Sequence, residues 1–160
     1  MADDQISYEA VMSTPFDSVK LGINTRGDAL YNIDFISLHH NDHIPRTGFI
    51  SEAVKQITAY FDNPGYRFSL PLVSQGTPFQ RRVWRSLQTI PSGAAWSYGK
   101  VAQNLATSPR AIGGACRANP IPIVVPCHRV VALNGLGGFS GQVQGDKLSI
   151  KHWLLTHEKG

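Results

Sequence analysis

Long apolar runs are missing from this 160-residue chain: nothing approaches the roughly 20 consecutive apolar residues that a membrane-spanning helix needs. The opening Met1-Ala2-Asp3-Asp4-Gln5 is acidic with no apolar stretch behind it, so no secretory leader is expected and a cytoplasmic location is. Cysteine is scarce. Cys116 and Cys127 stand alone, neither in a CxxC pair, which argues against a redox motif or a zinc knuckle and for reduced thiols. Acid is nearly absent from the second half: residues 76–160 hold ten Lys or Arg against two Asp or Glu, whereas residues 1–75 hold five against nine. A basic half joined to an acidic one expects a polyanion on the basic side, although a merely solvated basic surface gives the same totals. No internal repeat or low-complexity tract is found. The 42% apolar content is that of a globular protein, and the length suits one or two small domains.

The most informative stretch is Ile123-Val124-Val125-Pro126-Cys127-His128-Arg129-Val130-Val131. The valines read as buried, yet a thiol, an imidazole and a guanidinium interrupt them. A buried charge costs several kcal/mol unless it is paired, so Arg129 needs a partner and the triplet needs a reason. Pro126 fixes the backbone just before the sulfur. A lone buried cysteine is usually a small hydrophobe, but an adjacent imidazole is one way to make a thiolate.

Before this stretch, Ile6 to Met12, Val19 to Asn24 and Leu30 to Phe35 read as short strands, the last with Tyr31, Ile33 and Phe35 on one face. Thr25-Arg26-Gly27-Asp28 supplies a hairpin connection. His39, His40 and His43 crowd a polar loop, but only Asp42 accompanies them at ligand spacing, so no metal is expected. A helix with apolar positions Ile50, Ala53, Val54, Ile57, Tyr60 and Phe61 follows, stopped by Pro64-Gly65. Ser69 to Gln75 is an extended link between the halves.

Thr77-Pro78-Phe79-Gln80 carries a full helix-start signature, with Phe79, Val83, Leu87 and Ile90 as one stripe. Ser97 and Ser108-Pro109 open two further short helices, which together make a helix-turn-helix. The second contains Gly113-Gly114, each costing about 1 kcal/mol relative to alanine, so something offsets them. Either a neighbouring helix packs there or the face is kept smooth for an external surface. Asn119 precedes a proline and can bond backbone on both sides of a bend. Leu136-Gly137-Gly138-Phe139-Ser140-Gly141 is a glycine-rich loop, and a last helix runs from Asp146 to His157 with Glu158 at its end.

Pro126-Cys127-His128-Arg129-Val130-Val131 resembles the active-site signature of the O6-alkylguanine-DNA alkyltransferases, and the similarity runs from about Thr77 to Glu158, roughly half the chain. The resemblance implies an α+β fold: a small N-terminal antiparallel sheet with a helix, ribonuclease H-like, over residues 1–75, then a mostly helical DNA-binding alkyltransferase domain over residues 76–160. It implies direct-reversal repair, a single irreversible transfer of an alkyl group from O6-alkylguanine, and also O4-alkylthymine, in double-stranded DNA to Cys127 after base flipping. His128 would act as base through water, Glu158 would orient it, Tyr98 would protonate the leaving guanine, and Asn119 would be a structural hinge. Arg110 would fill the space of the extruded nucleotide, with Ala111, Gly113, Gly114 and Arg117 along the minor groove and Phe139 and Ser140 at the base. No cofactor, metal or membrane partner is implied, and a monomer is. The sequence departs from the family pattern in a shorter turn between Tyr98 and Arg110, in Phe139 where a tyrosine is usual, and in a longer stretch after Gly141.

Two other classes fit parts of the chain. A DNA-binding regulator needs the helix-turn-helix alone, with Cys127 structural. A thiol hydrolase needs a cysteine and a histidine, but those pairs are normally distant in sequence.

Overall fold

β-branched and aromatic residues between turn signals build a three-stranded antiparallel sheet in the order β1 (Ala10–Met12), β2 (Lys20–Arg26), β3 (Ala29–Ile36). The computed structural model describes residues 7–139 and 146–160. Contacts divide the chain into Met1–Val73 and Ser74–Gly160. Gly27, at φ 56°, supplies the left-handed conformation that the β2–β3 turn requires.

Two strand expectations need correction. The first strand begins only at Ala10, because the residues before it bond through side chains: Glu9 Oε1 accepts from Thr25 N at 2.6 Å, and Asn24 Oδ1 accepts from Glu9 N at 2.9 Å. In β3 the simple alternation fails. Asn24 pairs with Asn32 but Thr25 with Leu30, so Tyr31 is an extra, bulged residue. The bulge shifts the pleat by one, which buries Leu30 together with Ile33 and leaves Tyr31 half-buried with the Arg26 guanidinium 3.7 Å from its ring centroid.

Helix α1 (Gly48–Asp62) buries Ile50, Ala53, Val54, Ile57 and Tyr60, the stripe that closes the core over the sheet. The extended link is held to β3: Leu30 N donates to Pro71 O at 2.8 Å and Val73 N to Leu30 O at 2.9 Å. His43 pairs by its backbone with Val11, His39 and His40 stack at 4.8 Å, and Asp42 is bonded to Lys20 and Ser13.

In the second unit α2 (Pro78–Leu87) starts with a complete capping box, Gln80 N donating to Thr77 Oγ1 and Thr77 N to Gln80 Oε1. It buries Val83, Leu87 and also Trp84, whose indole N–H donates to Ala115 O at 2.8 Å and so ties α2 to the later α4 (Pro109–Arg117). Phe79, expected in that stripe, is only half-buried. Strand β4 (Trp96–Ser97) runs straight into α3 (Tyr98–Asn104) and pairs in parallel with β5 (Val130–Val131). Helix α5 (Asp146–Lys159) ends the chain. Among the described residues no helix is long and apolar enough to cross a membrane.

Candidate active site

The β4–β5 pairing is what assembles the site. It places Tyr98, the residue after β4, beside the segment that follows from Cys127, because Cys127–Arg129 is the 3₁₀ turn leading into β5. The apolar run was expected to continue as a strand through the cysteine. Instead residues 122–125 turn back, with Val125 N donating to Ile121 O at 2.9 Å and Ile123 at φ 76°. A β-branched residue in the left-handed region costs on the order of 1–3 kcal/mol and needs surroundings that enforce it.

Asn119 does much of that enforcing. Its Oδ1 accepts from Ile121 N at 2.9 Å and its Nδ2 donates to Val125 O at 2.9 Å, bracing both sides of the turn. The same Nδ2 lies 3.2 Å from Cys127 Sγ, a contact sequence reasoning did not foresee. The hinge residue therefore also touches the nucleophile candidate.

Behind the sulfur, His128 is completely buried and its Nε2 donates to Glu158 Oε2 at 2.7 Å. A carboxylate only accepts, so Nε2 carries the hydrogen and Nδ1 carries the lone pair. Nδ1 has no hydrogen-bond partner among the described residues. Burial holds the imidazole below its usual pKa, against the opposing pull of Glu158, which keeps it neutral and able to accept a proton.

Arg129 answers the question its sequence position raised. Its Nε and Nη2 donate to the two oxygens of Glu158 at 2.8 and 2.9 Å, and Nη1 donates to Ile90 O at 2.6 Å. This fork is the geometry that compensates a buried guanidinium.

Cys127 itself is 5% exposed, and burial pushes its thiol pKa up, while the Asn119 amide and then Lys151 pull it down. In the free protein the sulfur is thus a thiol whose proton is removed when needed. Tyr98 is pushed up to about 12, chiefly by burial, so its phenol stays protonated. Its hydroxyl faces Gly138 O at 3.4 Å. Gly137, at φ 72°, lies so close that a Cβ there would sit 2.9 Å from the Tyr98 ring. Phe139 is buried at 3% exposure, and Ser140 lies outside the described residues. Cys116, on α4, is pushed up to about 12 by burial, the mark of an inert thiol.

Lys151 was overlooked. It is wholly buried on α5, its Nζ donating to Val130 O at 2.7 Å and Gly138 O at 2.8 Å. Its signal in the sequence is spacing: Lys151, Leu154 and Glu158 fall three and four residues apart, on one helix face, and all three are buried.

The helix-turn-helix offers a separate, open face. Ser97 and Ser108 cap α3 and α4 by accepting from Lys100 N and Ala111 N. The short turn between the helices is closed by Thr107 N donating to Ala102 O at 2.9 Å and Ala106 N to Gln103 O at 3.3 Å, with Ala106 at φ 55° where glycine is usual. Arg110 and Arg117 are exposed, Ala111 is half-buried, and a Cβ added to Gly113 or Gly114 would meet nothing within 4 Å. Packing against a neighbouring helix therefore does not explain the paired glycines.

Residues 78–160 match the DNA-binding domain of the 6-O-methylguanine DNA methyltransferases. A methylated-DNA–protein-cysteine methyltransferase from Methanosarcina acetivorans is 35% identical over 158 residues, covering 94% of this chain and 97% of that one. One from Shigella flexneri is 50% identical over 93 residues, 56% of this chain and 52% of that protein, so the chain spans about half the length of that relative. Among solved structures, Mycobacterium tuberculosis OGT in complex with DNA superposes with a TM-score of 0.72 at 35% identity, covering 93% of this chain and 91% of that one. With the signature cysteine segment, the helix-turn-helix and these similarities together, the chain belongs to the methylated-DNA–protein-cysteine methyltransferase family.

Proposed function

We propose that this protein repairs double-stranded DNA by moving the alkyl group of O6-alkylguanine, and of O4-alkylthymine, irreversibly onto Cys127, once per molecule. The observation that carries the reading is the buried Glu158–His128 contact at 2.7 Å, which leaves Nδ1 as the proton acceptor in the residue next to the cysteine. His128 Nδ1 takes the Cys127 proton through a water molecule. The thiolate then attacks the alkyl carbon: the S–C bond forms as the C–O6 bond breaks, and the electron pair passes to the guanine. Tyr98, protonated at neutral pH, hydrogen-bonds or protonates that base so that it leaves neutral. Ser140 is assigned to the base oxygen and Phe139 to the apolar wall of the base pocket.

The basic second unit binds DNA as a monomer through the minor groove, the open Gly113-Gly114 face lying in a groove only about 6 Å wide. Arg110 enters the stack in place of the flipped nucleotide, Ala111 and Arg117 flank it, and the first unit is a ribonuclease H-like support. The protein acts in the cytoplasm.

Incubation with a duplex containing O6-methylguanine, followed by intact-protein mass measurement, tests this. One methyl gained per molecule, and no more at excess substrate, is expected. Unchanged mass with tight binding would mark a regulator, and continued turnover a hydrolase. A Cys127→Ala variant is expected to bind the duplex and transfer nothing.

A further inference from the structure

A buried lysine is an expensive choice where a methionine or leucine would fill the space. Lys151 has no exposed surface, and among the described residues no carboxylate lies within ion-pair distance of it. Glu158, seven residues along the same helix, is engaged by Arg129 and His128 instead. Lys151 bonds only neutral carbonyls, Val130 O in the strand just beyond the nucleophile and Gly138 O, which also faces the Tyr98 hydroxyl. A buried cation that lacks a permanent counter-ion is best explained by a transient one. Tyr98 on α3, Cys116 on α4, and Cys127, His128 and Arg129 in the turn before β5 are the titratable and charged groups facing this cluster from other elements, with Glu158 on its own. Of these, Cys127 is the one whose charge the reaction changes.

We propose that Lys151 is a positioning residue for the nucleophile: its ammonium is the positive charge against which the Cys127 thiolate forms, and its two carbonyl bonds hold β5 and the Gly137–Gly138 segment around Tyr98. The inference rests on the reading of Cys127 as nucleophile. Electrostatic influence between Lys151 and Cys127 runs both ways, Lys151 favouring the thiolate and the thiolate holding the proton on Lys151, whose pKa burial otherwise lowers to about 8. His128 removes the proton. Lys151 stabilises what remains.

The test is an ultraviolet titration of the Cys127 thiolate in the full-length protein carrying Cys116→Ser, with lysine, arginine or methionine at position 151. Lys151→Met is expected to raise the thiolate midpoint by about one pH unit or more, and Lys151→Arg to keep most of the native value. Single-turnover methyl transfer by Lys151→Met is expected to fall about tenfold near neutrality and to recover as the pH rises. A midpoint unchanged by Lys151→Met, or a rate loss equal at every pH, would overturn the proposal. Should Lys151→Met not fold, the same coupling is read from the other side. The Lys151 titration, followed by NMR of ¹³C-labelled lysine, is expected to fall to lower pH in Cys127→Ser, and an unchanged value overturns the idea. No titration involves DNA, so failure of methyl transfer altogether would refute the reading of function without imitating any of these results.

Discussion

Glu158 and Arg129 lie 29 residues apart in the chain and meet as a two-bond fork, at 2.8 and 2.9 Å, while the same carboxylate orients His128. One acidic side chain thus compensates a buried guanidinium and sets the tautomer of the base. Structure and chemistry are joined at that residue.

Glu158→Gln separates the two duties only in part. Removing the charge leaves Arg129 uncompensated, so stability is expected to drop by about 3–5 kcal/mol in urea unfolding. Single-turnover transfer is expected to slow by roughly 10²–10⁴-fold as His128 loses its orienting acceptor. Unchanged rates in a folded variant would remove Glu158 from the mechanism.

Gly114→Ala is expected to move stability and binding in opposite directions. The new methyl meets nothing within 4 Å, so the helix gains about 1 kcal/mol, visible as a higher denaturation midpoint. Affinity for a duplex, measured by fluorescence anisotropy at fixed salt, is expected to fall because the face is no longer smooth. Stabilisation with full affinity would place the DNA elsewhere.

Ala106 sits at φ 55° in the turn between α3 and α4. Ala106→Gly is expected to stabilise the protein by about 1 kcal/mol, since the left-handed conformation costs an alanine roughly that much. Calorimetry checks it, and a lower midpoint would contradict the role given to this turn.

The pH dependence of stability has a fixed sign. Burial lowers the His128 pKa in the folded state, so as pH falls through about 6.5 the unfolded chain binds the proton first and stability is lost. Lys151, lowered from 10.5 to about 8, adds the same sign in that higher window: stability rises with pH as the folded protein releases its proton before the unfolded chain does. Comparing urea midpoints of the native protein and His128→Asn between about pH 5 and 7 isolates the first effect. A difference independent of pH would show that His128 is not buried neutral.

How much of this was readable beforehand depends on the range of the physics. Capping is local, so Thr77, Ser97 and Ser108 announced their helices from three or four letters of sequence. The cysteine segment stood out because polar groups interrupted valines. The partners of those groups were not readable from spacing: Glu158 follows 30 residues after His128, and its place came from resemblance to a family. Lys151 was hidden among the periodic positions of α5, where long side chains are normally solvated. The Tyr31 bulge and the left-handed Ala106 and Ile123 carry no glycine signal, because tertiary bonds hold those backbones against their local preference.

The most direct test follows the alkyl carbon itself. A duplex bearing ¹³C-methyl at guanine O6 is incubated with the native protein, and the digested protein is mapped by mass spectrometry. The account predicts the label on the peptide containing Cys127, and on no other. Label on the Cys116 peptide, or released to solvent from an unmodified protein, would contradict it.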